Sequence, residues 1–249
     1  KGYGENSSGG LVHSYAQNNG AFNKGAVIDV SSSTSGDAGS IEFSAKEKVT
    51  LSGGNFKASA VKGKAGNILI DPNDIEIVSS NQILNGANYT LIANDSITVG
   101  SDVTISTRNI GAGTDYLNAL SQGDSGNLTL TAHNINIDHG AKLLAHANNG
   151  KTGGAVTLNA INTADINILG YKSASATINV GDSTGGATIT GDSVTMHAAA
   201  NADHSYIIPS VDANGNALDL NLANMGTGTL STVVQELGAI AGVQIVYSQ

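Results

Sequence analysis

The stretch from Gly126 to Ala145 limits the fold more than any other part of the chain. It holds three short runs, Leu128-Thr129-Leu130, Ile135-Asn136-Ile137 and Leu143-Leu144-Ala145, with Thr, Ala, Asn, Asp, His, Gly and Lys between them. Alternation at period two turns one apolar face of each run to a core and one polar face to water. Gly and Asn at the corners permit sharply bent or left-handed backbone. Three strands and three corners in about twenty residues make one coil of a solenoid.

The coil recurs. Counterparts of the first run are Ile41-Glu42-Phe43, Ile68-Leu69-Ile70, Tyr89-Thr90-Leu91 and Val156-Thr157-Leu158. Second runs are Val49-Thr50-Leu51, Ile75-Glu76-Ile77, Ile97-Thr98-Val99 and Ile166-Asn167-Ile168. Third runs are Phe56-Lys57-Ala58, Val103-Thr104-Ile105 and Thr177-Ile178-Asn179-Val180, with a less regular one near Gln82-Ile83-Leu84. The starts at Gly39 and Gly66 lie 27 residues apart, and those at Gly126 and Gly154 lie 28 apart. The longer step of 39 from Tyr89 to Leu128 implies a loop extruded from one corner. Such periods mark stacked, quasi-one-dimensional proteins. The pattern predicts an all-β chain: a parallel β-helix with three strands per rung over 26–200. Residues 1–25 form a frayed end or partial rung, and 201–249 a linker followed by a small α/β element.

Composition narrows the partners. Tryptophan and cysteine are absent and aromatics make up 4%, which suits a narrow column of Ile, Val, Leu and Ala and leaves no disulfide framework. The net charge of −9 argues against nucleic acid or an anionic membrane as partner. No run approaches the roughly 20 apolar residues of a membrane helix. The opening Lys1-Gly2-Tyr3-Gly4-Glu5 has neither an initiator Met nor a leader-like run, so a processed product or an excised piece is expected.

Two segments carry a resemblance. Gly25-Ala26-Val27-Ile28-Asp29-Val30-Ser31, followed by Gly36-Asp37-Ala38-Gly39-Ser40-Ile41, resembles the repeats of filamentous-haemagglutinin-type exoproteins. These are large bacterial adhesins exported by two-partner secretion. Gly66-Asn67-Ile68-Leu69-Ile70-Asp71-Pro72 is similar to a further segment of that group. The resemblance spans roughly residues 20–200. It implies a right-handed β-helix, secreted to the cell surface of a Gram-negative bacterium through an outer-membrane secretion pore. Its implied role is adhesion to host-cell or matrix carbohydrate or protein, or building of a biofilm matrix.

Candidate sites are few. Asp71, Asn73 and Asp74 cluster at one corner, where hard oxygens would suit calcium. An Asx-type turn capping the corner's amides is the simpler alternative. No other cofactor is expected. Residues 106–126 hold the longest irregular insert, and Arg108, Asp115 and Tyr116 are its binding candidates because Arg and Tyr are enriched at recognition surfaces. The alternative is a solvated loop with Leu117 and Leu120 tucked onto the column. His133, His139 and His146 read as solvated corners without zinc-ligand spacing. The sequons at Asn6, Asn88, Asn94 and Asn127 are chemically able to accept a glycan.

After about residue 200 the grammar changes. Thr229 or Ser231 can cap a helix with an apolar face of Leu230, Val233, Val234, Leu237 and Ile240, and Val243-Gln244-Ile245-Val246-Tyr247 then reads as a strand. This order resembles the start of the short N-terminal domain of secretins and TonB-dependent receptors. It also suits a cap over the open end of a solenoid. For the whole chain, a structural and adhesive fibre segment without catalysis is expected. Alternatives are a subunit that polymerises head to tail and, further off, an enzyme acting on polysaccharide. The enzyme would need paired carboxylates and aromatic sugar platforms.

Overall fold

The computed structural model describes residues 7–78, 81–111, 115–161, 176–181, 184–199 and 243–248. The described residues form strands and connecting segments, with no helix among them. The strands run in triplets. The first is β1 (Leu11–Ala16), β2 (Asn19–Asn23) and β3 (Val27–Asp29). The second is β4 (Ser40–Ala45), β5 (Lys48–Ser52) and β6 (Asn55–Lys57), and the third β7 (Asn67–Ile70), β8 (Asp74–Ile77) and β9 (Gln82–Ile83). The fourth is β10 (Asn88–Ile92), β11 (Ser96–Val99) and β12 (Thr104–Ser106). The fifth is β13 (Leu128–Ala132), β14 (Asn134–Ile137) and β15 (Lys142–Leu144). The sixth is β16 (Ala155–Ala160), β17 (Thr177–Val180) and β18 (Thr188–Thr190), after which come β19 (Ser193–Ala199) and β20 (Val243–Ser248).

Apart from β6 and β9, each strand pairs in parallel with its counterpart in the next triplet. The first sheet has the order β1-β4-β7-β10-β13-β16-β19-β20 and the second β17-β14-β11-β8-β5-β2. The third position is split between β18-β15-β12-β9 and the pair β3-β6. The expectation of an all-β, parallel, stacked chain is met. Within residues 1–25, read as a frayed end or partial rung, lie β1 and β2, and β1 pairs with β4 over six residues.

One assignment needs correction. Thr177–Val180 was expected as a third-position strand, but it pairs with β14 in the second sheet, and Thr188–Thr190 takes the third place beside β15. Alternation names a strand's two faces and leaves its sheet open. The second-position run at 166–168 and the helix at 229–240 lie outside the described residues. The strand expected at 243–247 is β20.

Register sets the core. Ile41, Ile68, Tyr89, Leu128, Val156 and Val194 occupy one line of paired positions in the first sheet. Val49, Ile75, Ile97, Ile135 and Ile178 do the same in the second. All of these belong to one continuous buried cluster. The chain's three phenylalanines gather at its low-numbered end, with Phe22 and Phe56 stacked at 4.2 Å and Phe43 tilted against both.

The corner entering the first sheet explains the recurring Gly and Asn. A Cβ on Gly126 would lie 2.2 Å from the Ala87 carbonyl oxygen, and one on Gly154 1.9 Å from that of Gly126. Successive triplets therefore meet main chain to main chain there. The following asparagines bond upward: Asn88 Oδ1 accepts from the Asn127 amide and Asn127 Oδ1 from the Ala155 amide, both at 2.9 Å.

Candidate functional site

The insert between β12 and β13 has the most elaborate polar chemistry on the outer surface. Leu143 pairs with Ile105 and Ile189 on the core side, so Leu144, paired with Ser106 and Thr190, points outward. Leu144 is nonetheless fully buried, and it lies outside the continuous core cluster, as does the buried Ile110. Cover must come from outside the sheet. Hydrogen bonds from the insert to His146 and Asn148, just beyond β15, put the insert there.

Arg108 pins this cover. It is fully buried, the largest such side chain among the described residues. Its Nε donates to the His146 carbonyl at 3.1 Å. Nη1 donates to the carbonyls of Tyr116 (2.5 Å) and Leu117 (2.7 Å), and Nη2 to that of Ala119 (2.7 Å). Carbonyls of a bent segment lack strand partners, and one guanidinium fork serves three of them together with the His146 carbonyl after β15. Burial lowers the guanidinium's proton affinity, and the charge of Asp115 partly offsets this. Asn148 adds to the clamp: its Oδ1 accepts from the Ser121 amide at 2.7 Å and its Nδ2 donates to Ala119 O at 3.2 Å.

The other two insert candidates are close by in different roles. Asp115 is exposed, and its Oδ1 caps the Asn118 amide at 3.0 Å. That bond holds its carboxyl below the usual carboxylate range. Tyr116 is half-buried and contributes its carbonyl to Arg108. The three residues are thus brought together, with four guanidinium bonds directed at main chain and Asp115 on the surface. Leu120 is exposed.

At the corner after β7, Asp71 is exposed and Pro72 buried. Asp74 Oδ1 accepts from Ser96 Oγ at 2.5 Å, and Oδ2 accepts from Asn73 Nδ2 at 3.1 Å. The oxygens of Asp74 thus serve local hydrogen bonds. Among the described residues no three His, Cys, Asp or Glu side chains are grouped so as to hold a metal ion. Desolvation, and then the nearby Glu42 carboxylate, push the Asp71 carboxyl above its ordinary range. Glu42 itself lies on the outer face of the first sheet, 3.4 Å from His13 Nδ1. There it borders an open groove of about 410 Å³ with Leu11, Asn67, Leu69 and Thr90.

The histidine expectation needs correction. His133 is buried, with Nδ1 3.2 Å from the Ile161 carbonyl. His146 is half-buried within the clamp. His146 sits where the insert covers a corner, which strand periodicity does not report. Among the described residues no helix is long and apolar enough to cross a membrane. Comparison with protein-family models, curated proteins and solved structures returns no match for the chain.

Proposed function

We propose that this chain is a segment of right-handed parallel β-helix from a secreted, filamentous-haemagglutinin-like exoprotein. Its work is mechanical and adhesive, without catalysis: a stiff rod that extends from the cell surface and presents its outer faces to host or matrix partners. One observation carries the reading. Neighbouring strands of the first sheet pair in parallel and in register, over eight strands. At about 4.8 Å per strand such a stack lengthens by adding triplets without redesigning the core. A right-handed winding follows from the handedness of parallel crossovers. The export route and the bacterial surface rest on the sequence resemblance.

A head-to-tail filament of this chain is the second reading. It is favoured by the low-numbered end of the column, where Val12, Ala16, Ala26 and Ile28 are only partly covered and β1 ends the sheet order. Unpaired strand edges recruit further strands. Intact mass spectrometry and electron microscopy of native material separate the two. A covalent chain far above 25.0 kDa is expected for an exoprotein segment. A 25.0 kDa chain in long filaments would favour the second reading. A 25.0 kDa monomer that forms no filaments would overturn both.

A further inference from the structure

His146 sits at the junction of the insert, β15 and the turn after β18. Its Nε2 lies 3.0 Å from the Leu117 carbonyl and its Nδ1 2.5 Å from Thr190 Oγ1. A carbonyl only accepts, so Nε2 carries the proton, and the bare Nδ1 of the neutral ring takes the Thr190 hydroxyl hydrogen. The His146 carbonyl accepts from Arg108 Nε and from Ser125 Oγ at 3.0 Å. Imidazole and guanidinium therefore converge on the same Leu117 carbonyl, with Arg108 Nη1 at 2.7 Å. A protonated ring would place a second cation there, out of water, and would force Thr190 to turn its hydroxyl hydrogen away.

The other charges acting on this site are Asp192 beyond β18, on His146, and Asp115 of the insert, on Arg108; Asp124 is the insert's further carboxylate. Asp192 Oδ2 accepts from the Gly153 amide at 2.8 Å and Asp124 Oδ1 from the Thr152 amide at 2.9 Å. Asp115 caps Asn118. Each carboxylate already serves a main-chain amide.

We propose that His146 is a proton-operated latch: neutral, it holds segment 115–125 over Leu144, and protonated, it releases the segment and uncovers Leu144 on the outer face of the third sheet. Burial first, and then Arg108, lower the ring's proton affinity in the closed state by more than the Leu117 carbonyl and Asp192 raise it. The open segment restores an ordinary imidazole near 6.5. Between the two values the open state binds more protons, so closure is fully present above about 6.5 and is lost as pH falls towards the closed-state value. The latch is independent of what the rod adheres to.

Hydrogen exchange on the full chain, corrected for the intrinsic pH dependence of amide exchange, tests it. Protection of the 115–125 amides is expected to fall between about pH 7.5 and pH 5, by up to tenfold for each unit separating the two pKa values. First-sheet amides should hold. His146→Gln keeps a donor towards Leu117 and cannot titrate, so its protection should not vary with pH. A flat profile in the parent chain, or an unchanged loss in His146→Gln, would overturn the latch. If His146→Gln leaves the segment unprotected at every pH, the His146 ring titration in the parent decides by NMR. A midpoint below about 6.5 supports the latch, and one at or above it overturns the latch.

Discussion

At the corner entering the first sheet, neighbouring triplets touch through main chain, and the same contact recurs at Gly66, Gly126 and Gly154. Over the third sheet, a single buried arginine holds one irregular segment against one outward leucine, and no other triplet repeats it among the described residues. The first device depends on the absence of side chains and is built into the stack. The second depends on one side chain and is added to the outside. Damage to the first should therefore spread through the column, whereas damage to the second should stay local.

The largest effect is expected from Gly126→Ala. Its new Cβ would fall 2.2 Å from the Ala87 carbonyl oxygen, backbone that cannot move without parting two triplets. The cost should be about 3 kcal/mol or more, read as a fall in the urea midpoint. Gly10→Ala meets nothing within 4 Å and should stay within about 0.5 kcal/mol of the parent. If the two variants unfold alike, the corner is not the close contact described.

Arg108→Met comes next. It removes one donor from each of four carbonyls, three of which keep a second from His146, Asn148 or Ser125, and the segment can lift into water and recover hydrogen bonds there. The expected loss is about 2–3 kcal/mol of local closing free energy, roughly a hundredfold in exchange of the 115–125 amides. The urea midpoint of the stacked strands should shift little. A fall as large as that of Gly126→Ala would mean that the insert belongs to the column after all.

The same contrast explains what the sequence discloses. Ile75-Glu76-Ile77 and Ile97-Thr98-Val99 announce their faces by alternation, and Gly66-Asn67, Gly126-Asn127 and their kin announce a corner by recurrence. Repetition makes both legible. Arg108 is read from sequence as a surface cation because its partners are carbonyls, which leave no trace in side-chain pattern. Its signal lies elsewhere, in Leu144, an apolar residue in the outward phase of β15 that has to find a cover. That His146 would share a carbonyl with Arg108 is set by how the insert folds back, and spacing along the chain carries no information on it.

Tyr89 inverts the lesson of the insert. It stands in the core line between Ile68 and Leu128, fully buried, and its hydroxyl has no hydrogen-bond partner among the described residues. Burial pushes the phenol well above its ordinary range. Removing a polar atom that is buried unpaired relieves its desolvation penalty. Tyr89→Phe should therefore raise stability by about 1 kcal/mol, seen as a higher urea midpoint with an unchanged slope. A loss of similar size would show that the hydroxyl is hydrogen-bonded, and would remove the contrast with Arg108, whose donors are paired.

The smallest effect belongs to the outer face, where neither main-chain contact nor burial amplifies a change. Desolvation raises the Asp71 carboxyl first and Glu42 raises it further, so the folded chain holds the Asp71 proton to higher pH than the unfolded chain does. An acid with a raised folded pKa costs stability above that value, and the cost is relieved as pH falls through it. Glu42→Gln removes one repelling charge, so stability near pH 7 should rise, but by only a few tenths of a kcal/mol because the carboxyl is exposed and screened. The clearer readout is the Asp71 titration itself, followed by carboxyl NMR. Its midpoint should move down in Glu42→Gln yet stay above the ordinary range, since desolvation, the larger cause, is untouched. A midpoint that does not move would show that the two carboxylates, one on β4 and one after β7, do not share a field across the stacked strands. The outer face would then act as separate exposed charges, without even the weak coupling that sets it apart from the corner and the insert.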